Sequence, residues 1–117
     1  MAAPKISVII PAFNEERAIG SVLDEIPNTV SEVIVVDNGS APETEAALPS
    51  LVGDAELIMT GSNLGFGPGG NVGLRRWLRQ HDTEWVAIAP HDALPDPDTL
   101  EVMLRELEGR DDVGLAS

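Results

Sequence analysis

The amino-acid sequence predicts an α/β fold with three layers, in which helices cover both faces of a mostly parallel β-sheet. Residues 5–11, 32–37 and 85–89 are continuous apolar runs rich in β-branched side chains, which is typical of strands buried on both faces. The segments between them carry the apolar spacing of amphipathic helices. Strands that alternate with helices favour right-handed crossovers, and therefore an open, largely parallel sheet.

The first strand, residues 5–11, leads into a helix that Asn14 is expected to open. The apolar stripe of this helix has the spacing i, i+3, i+4 and i+7 and consists of Ile19, Val22, Leu23 and Ile26. Pro27 ends the helix, because a proline disfavours helical backbone in the residue before it.

The second strand, residues 32–37, is followed by the turn sequence Asn38-Gly39. Ser40 and Glu43 have the spacing of a capping box, which predicts that a short helix follows. A weaker third strand is expected at residues 55–59.

A glycine-rich loop at residues 61–70 leads into a third helix, whose apolar side consists of Leu74, Trp77 and Leu78. The fourth strand, residues 85–89, precedes a last helix with Asp96 as its N-cap and Pro97 at its first position. The core spacing of that helix is carried by Leu100, Met103, Leu104 and Leu107. Residues 113–115 are expected to begin a fifth strand.

Composition narrows the classes of function. The 117 residues fit one domain, and a net charge of −13 disfavours binding to nucleic acid or to anionic membrane surfaces. The absence of cysteine excludes disulfides and thiolate metal sites, and no apolar run reaches the ~20 residues of a membrane span. We therefore expect a cytoplasmic domain, peripheral at most to the inner membrane face, that ends abruptly as a truncated domain would.

Polar residues gather after the predicted strands. These segments are Phe13-Asn14-Glu15, Asp37-Asn38-Gly39, residues 63–71 and His91-Asp92. In open α/β sheets ligands bind outside the carboxyl ends of the strands, so we expect the four loops to converge on one crevice.

Each of these residues has a structural and a functional interpretation. Asn14 is either an N-cap or part of a ligand site, and Asp37 either begins a turn or binds a ligand. Asp92 is a loop carboxylate or a ligand of Mg²⁺ or Mn²⁺, which prefer oxygen atoms. His91 contacts a phosphate, ligates the metal or fills the turn. The neighbouring carboxylates are better explained by the last helix, which Asp96 would cap and whose dipole Asp98 would complement.

The glycine-rich loop contains Gly65, Gly67 and Gly70, which fit the dinucleotide pattern G-x-G-x-x-G. That pattern belongs after the first strand, however, so a Rossmann dehydrogenase is disfavoured, and the sequence has no Walker A loop. Glycines here would let backbone N–H groups approach a phosphate or a ribose.

Taken together, the segments resemble family 2 glycosyltransferases, which have the Rossmann-like GT-A fold of nucleotide-diphospho-sugar transferases. The resemblance rests on residues 6–15, 35–40, 63–67, 71–73 and 89–92. It spans nearly all of residues 1–117 but only the donor-binding half of the family's domain. The loop Asn63-Leu64-Gly65-Phe66-Gly67 is similar to that of bacterial rhamnosyltransferase-like members.

The resemblance implies a role for each segment. It places Pro11, Phe13, Asn14 and Glu15 around the nucleotide base and ribose, with Asp37 hydrogen-bonded to the base. The ribose and sugar-phosphate side would be contacted by Asn63, Gly65, Gly67, Gly70, Asn71 and His91. Asp92 would hold Mg²⁺ or Mn²⁺ on the diphosphate. Pro90 and His91 stand where many relatives have further polar or acidic residues.

The implied reaction is an inverting hexosyl transfer from a UDP-, dTDP- or GDP-sugar to a glycan or lipid-linked acceptor in cell-envelope or polysaccharide synthesis. The general base belongs to the second half of the family's domain and matches no position here, so we expect donor binding without transfer. The alternative is a non-catalytic nucleotide-binding or regulatory domain of the same fold. A sugar-1-phosphate nucleotidyltransferase is disfavoured, because it needs a basic glycine-rich loop after the first strand. A homo-oligomer could form through an exposed sheet edge.

Overall fold

The computed structural model describes residues 5–80, 82–90 and 96–117. These residues form a four-stranded parallel sheet with helices on both faces. The strands are β1 (Ile6–Ala12), β2 (Val30–Asp37), β3 (Glu56–Met59) and β4 (Trp85–Ile88), in the spatial order β3-β2-β1-β4. The helices are α1 (Ile19–Asp24), α2 (Pro42–Leu51), α3 (Phe66–Arg79) and α4 (Thr99–Leu107). The predicted parallel α/β fold is thus confirmed.

The core lies on both faces of the sheet, since every residue of β1 is buried. On one face Val8, Ile10 and Val35 pack with Ile19 of α1 and Leu48 of α2. On the other face, residues of α3 cover Ile9, Ile34 and Val36. Two covered faces explain why β1 and β2 are continuous apolar runs instead of alternating apolar and polar residues.

Helix α3 packs unusually close to the sheet. A Cβ atom at Gly73 would lie 2.6 Å from Cγ2 of Ile9 and 3.2 Å from Cγ2 of Val36. A Cβ atom at Gly69 would lie 3.0 Å from Nδ2 of Asn38. Because residues four apart share a helix face, these two glycines lie together on the face of α3 where a side chain would have no room.

The starts of α1 and α2 differ from the predictions. Helix α1 begins at Ile19, because Asn14 has a left-handed φ of 53° and residues 16–18 form a turn. The predicted capping box is wrong as well: Ala41 occupies the N-cap of α2 without a side-chain cap hydrogen bond. The Ser40 hydroxyl instead donates a hydrogen bond to Asp37.

Four further predictions are corrected in the second half of the chain. Helix α3 begins at Phe66, so about half of the predicted glycine-rich loop is helical, and Leu78 is 65% exposed and not part of the core. Asp98, not Asp96, is at the N-cap of α4, and it makes no side-chain cap hydrogen bond. Residues 113–115 form no strand.

None of the helices in the described ranges combines the length and the apolar content that crossing a membrane requires.

Candidate functional site

The carboxyl ends of β1, β2 and β3 lie side by side at one edge of the sheet. Ala12 pairs with Asp37, and Asp37 pairs with Met59. The loops that follow these strands are therefore neighbours, as the sequence predicts for three of its four polar segments. The fourth segment, His91-Asp92, lies outside the described residues.

Asp37 is the buried acid of this edge, with 0% of its surface exposed. Its carboxylate accepts hydrogen bonds from the hydroxyl and from the backbone N–H of Ser40, the latter at 3.3 Å. Its backbone carbonyl accepts the N–H of Thr60 at 3.0 Å. The carboxylate thus holds the turn after β2 through Ser40.

Asn14 joins the loop after β1 to the loop after β2. Its N–H donates to Oγ of Ser40 at 2.8 Å, and its side-chain Oδ1 accepts the N–H of Ala41 at 2.9 Å. A non-glycine residue with positive φ is uncommon and is often found at functional sites. The amide oxygen is committed within the protein, so Asn14 positions its neighbours Phe13 and Glu15.

Pro11 and Phe13, two further predicted residues near the end of β1, differ in their exposure. Pro11 is buried within β1, where it pairs with Val36 of β2. Phe13 is 42% exposed at the end of the strand. Phe13, and not Pro11, therefore offers a ring surface to a ligand at this edge.

Asn38 is a buried polar residue at this edge whose sequence pattern identifies it only as part of a turn. Its side chain is 6% exposed and hydrogen-bonds the loop after β3 at Asn63, Leu64 and Gly65. A Cβ atom at Gly39 would lie 2.2 Å from the carbonyl carbon of Ser62, so the two loops are in direct backbone contact. The Asp-Asn-Gly sequence identifies a turn, but its contacts across 25 or more residues are not visible in it.

The glycine-rich segment divides into an exposed and a packed part. Gly65, with φ 88°, and Gly67 are exposed at the start of α3, and the carbonyl of Gly65 accepts a hydrogen bond from Asn38. Gly70 is buried against Ile88, whereas Asn71 is exposed on α3. Asn63 accepts the N–H of Gly65 through Oδ1 at 2.9 Å. Gly65 and Gly67 thus fit a ligand contact best, while Gly70 has a packing role.

Glu16 connects the first loop to α2. The Thr44 hydroxyl donates a hydrogen bond to its carboxylate at 2.7 Å. This hydrogen bond lowers the pKa of Glu16 below the ordinary value of a glutamate. This hydrogen bond between Thr44 and Glu16 fixes the path of the chain between β1 and α1.

Residues 5–80, 82–90 and 96–117 do not bring together three or more His, Asp or Glu side chains in a geometry that could hold a metal ion. The predicted metal ligand Asp92 and its neighbour His91 lie outside these ranges.

Comparison with known proteins points to one family. Residues 7–116 match the family described as "Glycosyl transferase family 2". The dolichyl-phosphate beta-glucosyltransferase of Drosophila melanogaster is 33% identical over 92% of this chain and 38% of its own length. The glucosyl-3-phosphoglycerate synthase of Mycolicibacterium smegmatis is 46% identical over 38% of this chain and 16% of its own length.

A solved structure shows the same fold. The glucosyl-3-phosphoglycerate synthase of Mycobacterium tuberculosis, in complex with Mn²⁺, UDP-glucose and phosphoglyceric acid, superposes with a TM-score of 0.65 at 28% identity. The match covers 92% of this chain and 40% of that one. The chain therefore spans less than half the length of each of these three relatives.

Proposed function

Because the chain belongs to glycosyl transferase family 2, we propose that it binds the nucleotide-sugar donor of a hexosyltransferase. The observation that carries the proposal is the convergence of three loops at the carboxyl edge of the sheet, tied together by Asn14, Asp37 and Asn38. Ligands of open α/β sheets bind at this edge. We take the chain as one donor-binding domain of a larger transferase.

The donor that we favour is UDP-glucose. The mycobacterial structure contains UDP-glucose. Of the two relatives named above, one is a dolichyl-phosphate beta-glucosyltransferase and the other a glucosyl-3-phosphoglycerate synthase. These names favour glucosyl transfer over the rhamnosyl transfer that the loop at residues 63–67 suggests. dTDP- and GDP-sugars remain the alternatives for the test.

Each predicted residue has a place in this proposal. Phe13 and Glu15 contact the base and ribose beside the buried Asp37, with Pro11 and Asn14 behind them. Gly65 and Gly67 let the ribose and the sugar-phosphate side approach the backbone. Asn63 supports Gly65, and Gly70 and Asn71 continue α3 from the same loop.

We propose that Asp92 binds Mg²⁺ or Mn²⁺ on the diphosphate and that His91 contacts the sugar-phosphate side of the donor. A chain with a net charge of −13 repels a nucleoside diphosphate, and a divalent cation would offset that repulsion. Oxygen ligands such as the Asp92 carboxylate suit either ion.

The reaction that fits is an inverting displacement. An acceptor hydroxyl attacks the anomeric carbon in line, the bond from that carbon to the nucleoside diphosphate breaks, and a general base takes the hydroxyl proton. No residue of this chain matches the family's base, so we propose donor binding without transfer by the chain alone. The acceptor would be a glycan or lipid-linked molecule, reached from the cytoplasm at the inner membrane face.

The test is calorimetric titration with UDP, dTDP, GDP and NAD⁺, each with and without Mn²⁺. We expect saturable binding of UDP that requires Mn²⁺ and weakens at least about tenfold in Asp92→Ala, since one charge-assisted contact is worth this much. The matched control is Asp98→Ala, which removes an exposed carboxylate at the start of α4. It should leave binding unchanged.

Other outcomes favour other functions. Tight UDP binding without any metal would favour the non-catalytic nucleotide-binding or regulatory domain. Binding of NAD⁺ alone, or of no nucleotide by a folded sample, would contradict the donor-binding proposal.

A further inference from the structure

We infer that Asn38 is a positioning residue of the donor site, whose carboxamide holds the loop of residues 60–65 in its ligand-binding shape. The inference rests on the proposed function, because it assigns the loop a part in donor binding. Asn38 directly follows the buried Asp37, and its own N–H donates to the carbonyl of Ala12 at 2.8 Å. Its backbone is therefore anchored to β1 while its side chain extends to another loop.

The carboxamide uses both its donor and its acceptor on that loop. Nδ2 donates to the carbonyl of Gly65 at 3.0 Å and to Oδ1 of Asn63 at 3.3 Å. Oδ1 accepts the N–H of Leu64 at 2.9 Å. Three consecutive residues are thus fixed by one side chain that is 6% exposed, where hydrogen bonds compete little with water.

Burial of side chains does not hold this loop, because residues 61–65 are all exposed. Its backbone contacts the neighbouring loop through Gly39 and Ser62, and Asn38 supplies the hydrogen bonds that set its shape. Gly69 of α3 closes the space on the other side of the carboxamide. Asn38 therefore lies between β2, the loop and the first turns of α3.

Only a side chain with both a donor and an acceptor satisfies these contacts. A carboxylate at position 38 would keep an acceptor for Leu64 but place negative charge against two oxygen atoms, those of Gly65 and Asn63. Alanine would remove all of these hydrogen bonds, as well as the one that Oδ1 accepts from the Thr60 hydroxyl at 3.5 Å.

The experiment combines hydrogen exchange by NMR with calorimetry on Asn38→Ala and Asn38→Asp. In Asn38→Ala the exchange protection of the Leu64 amide should fall at least about tenfold, since its acceptor is gone. The Kd for UDP with Mn²⁺ should rise about tenfold in both variants. Asn28→Ala and Asn28→Asp make the same changes at an exposed turn residue and should alter neither quantity.

A residue that only stabilised the fold would lower the unfolding temperature without changing the Kd of the folded protein. An unchanged Kd in Asn38→Asp, or unchanged Leu64 protection in a folded Asn38→Ala, would overturn the inference. If the unaltered chain binds none of UDP, dTDP and GDP, the proposed function fails and the donor role of Asn38 fails with it. In that case the exchange data alone would show whether Asn38 still orders the loop.

Discussion

Asn14 combines backbone strain with a long-range hydrogen bond in a single residue. Its φ of 53° is a conformation that glycine adopts freely, while its side chain accepts the N–H of Ala41. The left-handed backbone turns the chain away from a helix directly after β1. This turn keeps Phe13 and Glu15 at the edge of the sheet instead of moving them into a helix.

Replacing Asn14 separates these two contributions. Asn14→Gly and Asn14→Ala both lose the hydrogen bond to Ala41, but only alanine is strained at positive φ. We expect Asn14→Ala to be less stable than Asn14→Gly by about 1 kcal/mol in urea unfolding. Equal stabilities would show that the strained φ is not kept in solution.

Glu16 makes stability depend on pH. Its pKa is lowered in the folded state by the Thr44 hydroxyl, so its contribution is fully present above the unfolded pKa of about 4.3. That contribution is lost as the pH falls through the lower, folded pKa. Thr44→Val removes the donor, and we expect it to lose less free energy of unfolding between pH 7 and pH 3 than the unaltered chain.

Thr29→Val, which alters an exposed threonine, is the control for the same scan. It should retain the pH dependence of the unaltered chain. An identical pH dependence in Thr44→Val would contradict the role of this hydrogen bond.

At the scale of elements, α3 packs so closely on the sheet that it leaves no room for a side chain at Gly73. Gly73 lies over Ile9 and Val36, both fully buried. The β-branched side chain of Ile9 has few rotamers with which to move aside. The position of α3 also sets that of Gly65 and Gly67 at its start, so packing and site geometry are coupled.

Gly73→Ala should therefore destabilise the protein by about 1–3 kcal/mol, the usual cost of overpacking a core. Gly20→Ala is the matched variant, because no atom lies within 4 Å of a Cβ at that position of α1. It should be neutral or up to about 1 kcal/mol more stable, since alanine favours helices. Thermal or urea unfolding measures both, and equal effects would contradict the close approach of α3.

At the scale of the whole molecule, a polar network joins the elements at the amino edge of the sheet, opposite the candidate site. Trp77 donates to Thr83 at 2.8 Å, Thr83 and Ser7 share a hydrogen bond of 2.7 Å, and the Ser7 hydroxyl donates to Glu32 at 3.0 Å. Arg76 pairs with Glu32 and Glu56. One network thus links β1, β2, β3 and α3.

Arg76 is the cation of this network, and the hydrogen bond with Glu56 raises its pKa. Arg76→Met would leave two partly buried carboxylates without their cation, and we expect a loss of about 1–2 kcal/mol in the free energy of unfolding. Arg75→Met, at an exposed neighbouring position, should change stability little. If both variants unfold alike, the network does not contribute to stability.

The sequence by itself determined four of the five predicted strands, the parallel α/β class and three of the loops that form the candidate site. A strand whose residues are apolar on both sides is stable only where both faces of the sheet are covered. Residues 5–11 and 32–37 were therefore expected in the middle of a covered parallel sheet. The carboxyl ends of parallel strands necessarily meet at one edge, which brings Asp37 near Phe13.

Tertiary structure alone decided which partner each polar side chain takes. Ser40 could cap α2 but bonds Asp37, and Asn14 could cap a helix but bonds Ala41, 27 residues away. Asn38 looked like a turn residue and holds a loop 25 or more residues distant. Local and distant partners offer hydrogen bonds of similar free energy, so the packing of the sheet and helices selects between them.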